Sequence, residues 1–518
     1  MLLIDIFKQP NVISGDLYLL PRSGNDEQGE LYSSAISEHE AMNTSLGDWA
    51  ATGSSQRGGH GGYMLLPDGG EAFAIRADLT RRAEKTLDIQ TYILEEGLTT
   101  RYFFQQMIDA ADRGVRVRFL VDDLSGGKLQ STLAALDSHT NLEIRLFNPV
   151  LSGRSHTFSR MFFFALGWRR LHRRMHNKLW LVDSAVGITG GRNMGDDYFK
   201  ADIEHAFADL DILAAGGSVV SELSQSFDDY WNHDLAKPVV EFEQSRQNAW
   251  QGLQVRLAQQ VEDELDERSQ YDELVNAYRH QPLDELLDRL CYAKGRAVWD
   301  EPDKLAANGW PDSCQLMGDQ VGEEINNVQS RLFAISGYFV PCYLDSIDVQ
   351  RLAKRGVEVT VLTNTLEATD IPYVHGGYAP YRTSLIAHGI ELYEYRCQPK
   401  NVRNSLPRTH SASLHAKAIA LDDNRVIVGG FNLDPRSVWW NSETALIVES
   451  EELNSRLCEL GTSLLAPQRS YHLSLDSLGL RWNGHNGVNE FVLRKEPGNR
   501  WRRFQAWLCY KLRLQIFV

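Results

Sequence analysis

One unit occurs twice in this 518-residue chain, and that duplication constrains the fold more than any other feature. The first copy runs LDIQTYI (87–93), a helical stretch, then ADRGVRVRFLVDDL (111–124). The second runs LFAISGYFV (332–340), then AKRGVEVTVLTNTL (353–366). Each reads as a strand, a helix closing at Arg-Gly, and a second apolar strand, which is the right-handed parallel crossover. Gly114 and Gly356 stand where a helix C-terminus needs a left-handed residue. A third strand follows in each copy (142–149 and 390–396), then a fourth (176–183 and 415–422) and a fifth (185–193 and 425–432). Strands alternating with helices predict two α/β domains with mixed sheets flanked by helices. A pseudo-twofold axis would relate them and put a site at their interface.

The expected organisation is an N-terminal extension over 1–60, partly irregular, and a first repeat domain over 61–234. An acidic helical connection over 235–315 leads to a second repeat domain over 316–470, then a basic-aromatic segment over 471–518. The connection carries QVEDELDERSQYDELVNAY and LDELLDRL, whose charges suit a solvated helical face.

The fourth strands carry the chemistry. His176, Lys178 and Asp183 fall at offsets 0, 2 and 7, and so do His415, Lys417 and Asp422. Gly190 and Asn193 follow the first set at the same spacing as Gly429 and Asn432 follow the second. One such match is within reach of chance; two inside a matched repeat are not. Residues two apart on a strand share a face, so each His projects with its Lys. Convergence of the halves would set two imidazoles beside two ammonium groups, with Asn193 and Asn432 as added donors. That constellation suits a phosphoryl group with non-bridging oxygens. The lysines supply positive charge, so no metal and no cofactor is expected, and no metal-ligand spacing appears. One neutral imidazole would attack phosphorus while the other, protonated, serves the departing alcohol. Each imidazole needs a carboxylate to fix its tautomer. Asp209 in FADLDILA and Glu443 in NSETALIV occupy parallel places after the two motifs, with Asp211 a competitor for the first role.

These residues resemble the phospholipase D superfamily, whose signature H-x-K-x4-D-x6-G-[SG]-x-N is used twice. Here it reads HNKLWLVD with GGRN and HAKAIALD with GGFN. Gly191 and Gly430 stand where many members carry Ser. Within the superfamily the chain is similar to bacterial cardiolipin synthases, especially the C type. RRMHNK, GGRNMGDDYF, YVHGGYAPYR, SASLHAK and FNLDPRS carry that likeness, which runs from about residue 71 onward. The resemblance implies two phospholipase D-like domains and transfer of a phosphatidyl group to a hydroxyl of phosphatidylglycerol, giving cardiolipin. It implies phosphatidylethanolamine as donor, His176 as nucleophile and His415 as acid/base. It also implies a peripheral enzyme of the bacterial inner membrane, at the cytoplasmic face. Hydrolysis of phospholipids by the same machinery is the alternative, followed by a nuclease and by a non-catalytic lipid scaffold.

Composition bears on the partner. A net charge of -16 argues against nucleic acid but leaves room for a locally basic cleft. The six cysteines form no C-x-x-C pair, which favours reduced thiols and a reducing compartment. MLLIDIFKQPNVISG lacks the build of a signal peptide, and no uncharged apolar window reaches about 18 residues, so membrane contact should be peripheral. Two stretches suit it. RKEPGNRWRRFQAWLCYKLRLQIFV (494–518) interleaves cations with Trp501, Phe504, Trp507, Leu508, Leu512 and Phe517 at helical spacing. FSRMFFFALGWRRLHRR (158–174) sets Phe162, Phe163, Phe164 and Trp168 before Arg169, Arg170, Arg173 and Arg174, and is expected at the cleft mouth, dipping into lipid. His375 and Tyr378 in YVHGGYAPYR are candidates to place the acceptor glycerol. An accessory protein is left open.

Overall fold

The computed structural model describes residues 32–126, 129–152, 154, 159, 162, 165, 167–199, 207–243, 249–263, 285–286, 288–342, 344, 347–396 and 413–517. Strands β1 (Gly61–Leu66), β2 (Thr86–Thr91), β3 (Arg116–Asp122), β4 (Leu142–Phe147), β5 (Leu179–Val182), β6 (Val186–Gly190), β7 (Asp211–Ala215) and β8 (Ala236–Pro238) form the first sheet. Their spatial order is β8-β4-β3-β2-β5-β6-β7-β1. The second sheet comprises β9 (Cys291–Trp299), β10 (Arg331–Ser336), β11 (Glu358–Asn364), β12 (Glu391–Tyr395), β13 (Lys417–Leu421), β14 (Arg425–Gly429), β15 (Thr444–Glu449), β16 (Ser470–Asp476), β17 (Gly479–His485) and β18 (Glu490–Leu493). It runs β18-β17-β16-β12-β11-β10-β13-β14-β15-β9. In each sheet three strands are parallel (β2-β3-β4 and β10-β11-β12) and the rest antiparallel, as the duplicated crossover requires. Gly114 and Gly356 close the crossover helices at φ +93° and +88°, a conformation that costs a glycine nothing.

Two stretches differ from expectation. The connection is not helical throughout, because β9 lies inside it and is the second repeat's counterpart of β1. Its N-terminal end pairs with β1 (Gly61↔Ala293) and the rest with β15 (Lys294↔Glu449 to Trp299↔Thr444), stitching the two sheets together. CYAKGRAVW mixes small and charged residues, so it shows no apolar alternation to read. The segment after 470 opens with the β16-β17-β18 meander, and only Arg500–Lys511 is the basic-aromatic helix. In the N-terminal extension, Glu38–Met42 and Ser45–Ser55 are helices with Ser37 and Thr44 as side-chain caps.

Burial follows the strand period. Val117, Phe119 and Val121 of β3 face an outer core with the helices Gly69–Arg82 and Leu98–Asp112, while Leu120 faces inward. The inner core is shared by both halves. The helices Gly217–Trp231 and Glu451–Leu465 contribute Phe227, Tyr230, Trp231, Leu453 and Leu457 to it. Apolar surface on both sides of each sheet therefore ties the halves into one body.

Both motif aspartates serve this frame. Asp183, at φ +52°, is fully buried after β5, and its carboxylate accepts the N–H groups of Glu84 (3.0 Å), Lys85 (2.7 Å) and Thr86 (2.9 Å) at the start of β2. Asp422, at φ +48°, does the same for Gln329 (3.1 Å), Ser330 (2.7 Å) and Arg331 (3.3 Å) ahead of β10. Removing a buried carboxylate strands all its donors. Asp183→Ala should therefore cost about 3 kcal/mol, read as a lower urea midpoint by circular dichroism. Asp422→Ala, at a wetter site, should cost less; an equal or smaller loss for Asp183→Ala would refute this account.

Candidate active site

The chain entering β5 carries His176, and the chain entering β13 carries His415. Each segment is fastened to the opposite half. Met175 bridges Ser442 and Leu414 bridges Ala208, so the His176 N–H reaches Ser442 O at 2.9 Å and the His415 N–H reaches Ala208 O at 2.8 Å. Asp122 at the end of β3 accepts the Met175 N–H (3.0 Å); Asn364, its counterpart on β11, accepts the Leu414 N–H (2.9 Å). The frame thus aligns both histidines before any ligand arrives.

The carboxylates are exchanged between halves. His176 Nδ1 meets Glu443 Oε2 at 2.8 Å, and His415 Nδ1 meets Asp209 Oδ2 at 2.7 Å. Sequence parallelism picked both carboxylates, and the crossing is what the fold adds. Asp211, the competitor, is instead held in a buried cluster by Arg76 (2.7 Å) and Arg192 (3.1 Å). Gly191 and Gly430 are explained at the same time. A Cβ on Gly191 would lie 1.9 Å from Asp209 Oδ1, and one on Gly430 2.8 Å from Glu443 Oε2, so the carboxylates occupy the room a serine would need.

Lys178 donates to its own motif's His176 carbonyl at 2.7 Å, and Lys417 makes the same bond to His415 O. Both ammonium groups are buried beside both imidazoles. Asn193 spends its oxygen on the Ile93 N–H (3.1 Å), leaving buried Nδ2 without a partner among the described residues. At Asn432 the opposite end is orphaned, the acceptor oxygen Oδ1. The unpartnered Asn193 Nδ2 donor, next to two lysines, fits a ligand rich in acceptor oxygens, and Asn432 joins it only with its amide turned end for end. Rings close the sides: Tyr92 lies edge-on to His176 (centroids 4.8 Å), and Tyr198 (5.5 Å) and Phe207 (5.1 Å) flank His415.

Burial and mutual repulsion set the protonation pattern. Burial, then the charges of Lys178 and Lys417, push His176 well below the usual imidazole range. Burial and Lys417 also lower His415, but Asp209 pulls the other way. Burial alone would raise Asp209, yet His415 and Lys417 outweigh it and hold the carboxyl below its ordinary value. Glu443 goes up, driven by burial with Lys178 in partial opposition. Burial brings Lys178 down to about 7, against the pull of Glu443. The halves are alike in geometry and unlike in their carboxylates: both imidazoles are lowered, His415 beside an Asp209 held below its ordinary value and His176 beside a Glu443 raised above it.

Several supporting residues left no local sequence signal. Asp300 accepts the Glu443 N–H (2.8 Å) and pairs with Lys304 (3.0 Å), and Lys304 donates to Ser437 O (2.9 Å). Ser437, inside FNLDPRS, donates to Glu443 Oε1 (2.9 Å). The connection thus supplies part of the His176–Glu443 support.

Other expectations are corrected by position. Asp183 and Asp422 sit at the far ends of their short strands, bound to backbone, and do not join the imidazoles and lysines. His375 and Tyr378 are buried in the helix Pro372–Tyr378. His375 Nε2 lies 2.8 Å from Glu496, and Arg382 lies over the Tyr378 ring (5.0 Å) while binding Glu394 (2.7 Å) and Glu496. These contacts anchor the segment that leads into the C-terminal helix, while both residues also line a cavity with Tyr338 and Asn364. Arg173 and Arg174 are also buried: Arg173 donates to Lys304 O (3.0 Å) and Ala307 O (2.7 Å), and Arg174 to Asn148 O (2.7 Å). Neither faces lipid. Phe163 and Phe164 lie outside the described residues.

The chain matches the family model described as "Cardiolipin synthase, PLD-like domain" over residues 77–231 and 321–460, one match in each half. It is 34% identical over 471 residues to "Cardiolipin synthase C" of Escherichia coli (strain K12), covering 88% of this chain and 96% of that one. It is 24% identical over 388 residues to "Probable cardiolipin synthase YwiE" of Bacillus subtilis (strain 168), covering 75% and 63%. The crystal structure of phosphatidylserine synthase from Haemophilus influenzae Rd KW20 superposes with a TM-score of 0.58 at 10% identity, over 90% of this chain and all of that one, and shares the fold. With paired half-sites, a family match in each half and a relative aligned along most of its length, the chain belongs to the cardiolipin synthase family of phospholipase D-like phosphatidyltransferases.

Proposed function

We propose that the enzyme transfers a phosphatidyl group from phosphatidylethanolamine to a hydroxyl of phosphatidylglycerol, giving cardiolipin, through a phosphohistidine on His176. The observation that carries this reading is the exchanged carboxylate. With each Nδ1 facing a carboxylate of the other half, both Nε2 atoms are left for the substrate. His176 Nε2 attacks phosphorus, the bond to the ethanolamine oxygen breaks, and His415 gives that oxygen a proton. The incoming glycerol hydroxyl then returns a proton to His415 as its oxygen displaces His176. Lys178, Lys417, Asn193 and Asn432 hold the non-bridging oxygens throughout.

Peripheral contact with the bilayer is supported by exposed aromatics on the C-terminal helix and ahead of His176. On the helix Arg500–Lys511, Trp501, Phe504 and Trp507 are 64%, 46% and 52% exposed and stack in a row (5.5 and 5.9 Å). The helix buries its other side through Ala506 and Cys509. Trp440 ties the turn after this helix to the segment ahead of His176: its Nε1 donates to Ile516 O (2.7 Å), and its ring meets His172 (5.3 Å) and exposed Trp310 (4.7 Å). Exposed Trp168 stacks on His172 in turn (5.3 Å). Among the described residues no helix is long and apolar enough to cross a membrane.

Lipid mass spectrometry of purified enzyme on mixed vesicles should show cardiolipin only when both lipids are present. Phosphatidic acid as sole product would move the reaction to hydrolysis. His176→Ala and His415→Ala should each lower turnover about 10³-fold or more. Of the two, only His415→Ala should retain a phosphatidyl adduct, on His176; an adduct on His415 in His176→Ala would reverse the order. Because Lys178 sits near 7 in the free site and a bound phosphate would raise it, binding takes up a proton above that pH. The donor KM should therefore climb above pH 7, by up to about tenfold per unit; a KM flat from pH 7 to 9 would refute this. Replacing Trp501, Phe504 and Trp507 together by Ala should weaken co-sedimentation with phosphatidylglycerol vesicles about tenfold or more, and unchanged binding would remove the helix from the interface.

A further inference from the structure

The two ends of the cleft carry opposite charge. At the His176 end stands Arg436, which donates to His172 O (2.8 Å) and whose charge acts on both His176 and Tyr92. At the His415 end stands Asp370, bound to Tyr338, whose neighbour Gly337 packs against the His415 backbone so closely that an added Cβ would lie 3.3 Å from His415 Cα. Its carboxylate accepts the Tyr338 hydroxyl, 2.7 Å from each oxygen, and its charge acts on His415, Lys417 and Tyr198. Asp370 is exposed and Tyr338 half-buried, so this carboxylate is open to solvent although it sits beside a buried catalytic pair.

The duplication does not account for this wall. The matched bridges Leu94↔Met194 and Phe339↔Leu433 align Ile93 with Tyr338, Asp197 with Arg436 and Tyr198 with Ser437. The phenol that holds Asp370 thus has an aliphatic counterpart, and the cation at the other end replaces a carboxylate. A cleft with equivalent ends has no need of either difference. The loop bearing Asp370 is also braced from outside: Arg502 of the C-terminal helix donates to Leu366 O (2.7 Å) and to Thr369 O.

A carboxylate fixed by a phenol, with a second phenol ring nearby, is the chemistry that receives a primary ammonium ion: one anionic acceptor plus aromatic surface. Its place matters as much as its chemistry. His415 is the group that protonates the departing alcohol, so the feature beside it meets the headgroup and not the acyl chains. We infer that Asp370, held by Tyr338 and walled by Tyr198, docks a cationic amino headgroup of the donor phospholipid over His415. This rests on the transfer reading above. Asp370 acts as a specificity group: it sets which headgroup alcohol is accepted as leaving group, while Arg436 disfavours the same cation at the other end.

The test compares two donors in vesicles dominated by phosphatidylglycerol: phosphatidylethanolamine, and phosphatidylethanol, whose alcohol has equal carbon count and no amine. Cardiolipin formation from each gives a ratio of kcat/KM values. The wild-type ratio should favour the amine donor by about tenfold or more. Asp370→Asn should bring it close to one, mainly through KM for the amine donor, and Tyr338→Phe should lower it part-way. Because the readout is a ratio, general damage to the fold does not move it. A wild-type ratio near one would overturn the inference. So would an Asp370→Asn ratio equal to the wild-type value, including the case where both donors slow together with a displaced pH profile, which would make Asp370 only a tuner of His415. If wild-type enzyme forms cardiolipin from neither donor, the transfer reading itself has failed.

Discussion

Everything in this molecule depends on two hydrogen bonds that cross its pseudo-twofold axis. Glu443 reaches His176 and Asp209 reaches His415, so neither half holds a complete imidazole–carboxylate pair. The fold is organised to make that crossing rigid. A shared inner core, a strand paired to both sheets, and backbone bridges beside each histidine all act at the seam. A half-site alone would hold an imidazole of undefined tautomer next to a lysine with no carboxylate across from it.

Duplication brings symmetry, and the double displacement proposed above would need asymmetry. Two like imidazoles would then hold different protonation states at the same moment. The difference is made around them rather than in them. One carboxylate is an aspartate held ionised near Arg192, the other a glutamate raised by burial and braced by Ser437 and Asp300. Tyr92 lies beside one ring, Tyr198 and Phe207 beside the other. None of these contrasts touches the shared H-x-K framework, which is why two copies of one motif can carry two jobs.

How far the sequence could be read varied with the length scale of each interaction. The crossover strands, Gly114 and Gly356, and the His-Lys pairs follow from local periodicity and spacing, and each appears in the fold at its expected place. The aspartates show the limit of motif reading. Asp183 and Asp422 recur with the lysines in sequence, yet a left-handed turn sends them to strand starts. β9 escaped notice because its pairing partners, β1 and β15, lie in different halves and leave no alternation in CYAKGRAVW itself. Arg173 and Arg174 are cations in a stretch that reads as dipping into lipid, but tertiary partners bury them.

The sequence by itself determined the duplicated α/β units, the paired imidazoles and lysines, and the aromatic-basic C-terminal helix. All are set by residues within one strand, one helix or one motif spacing. Tertiary structure alone decided which carboxylate serves which histidine, and that Asp300 and Lys304 support Glu443. It also decided that Asp370 stands at the His415 end of the cleft. Those choices depend on contacts between residues about 30 to 270 positions apart, and such contacts are fixed only when distant strands and the two sheets close on each other and exclude water from what lies between.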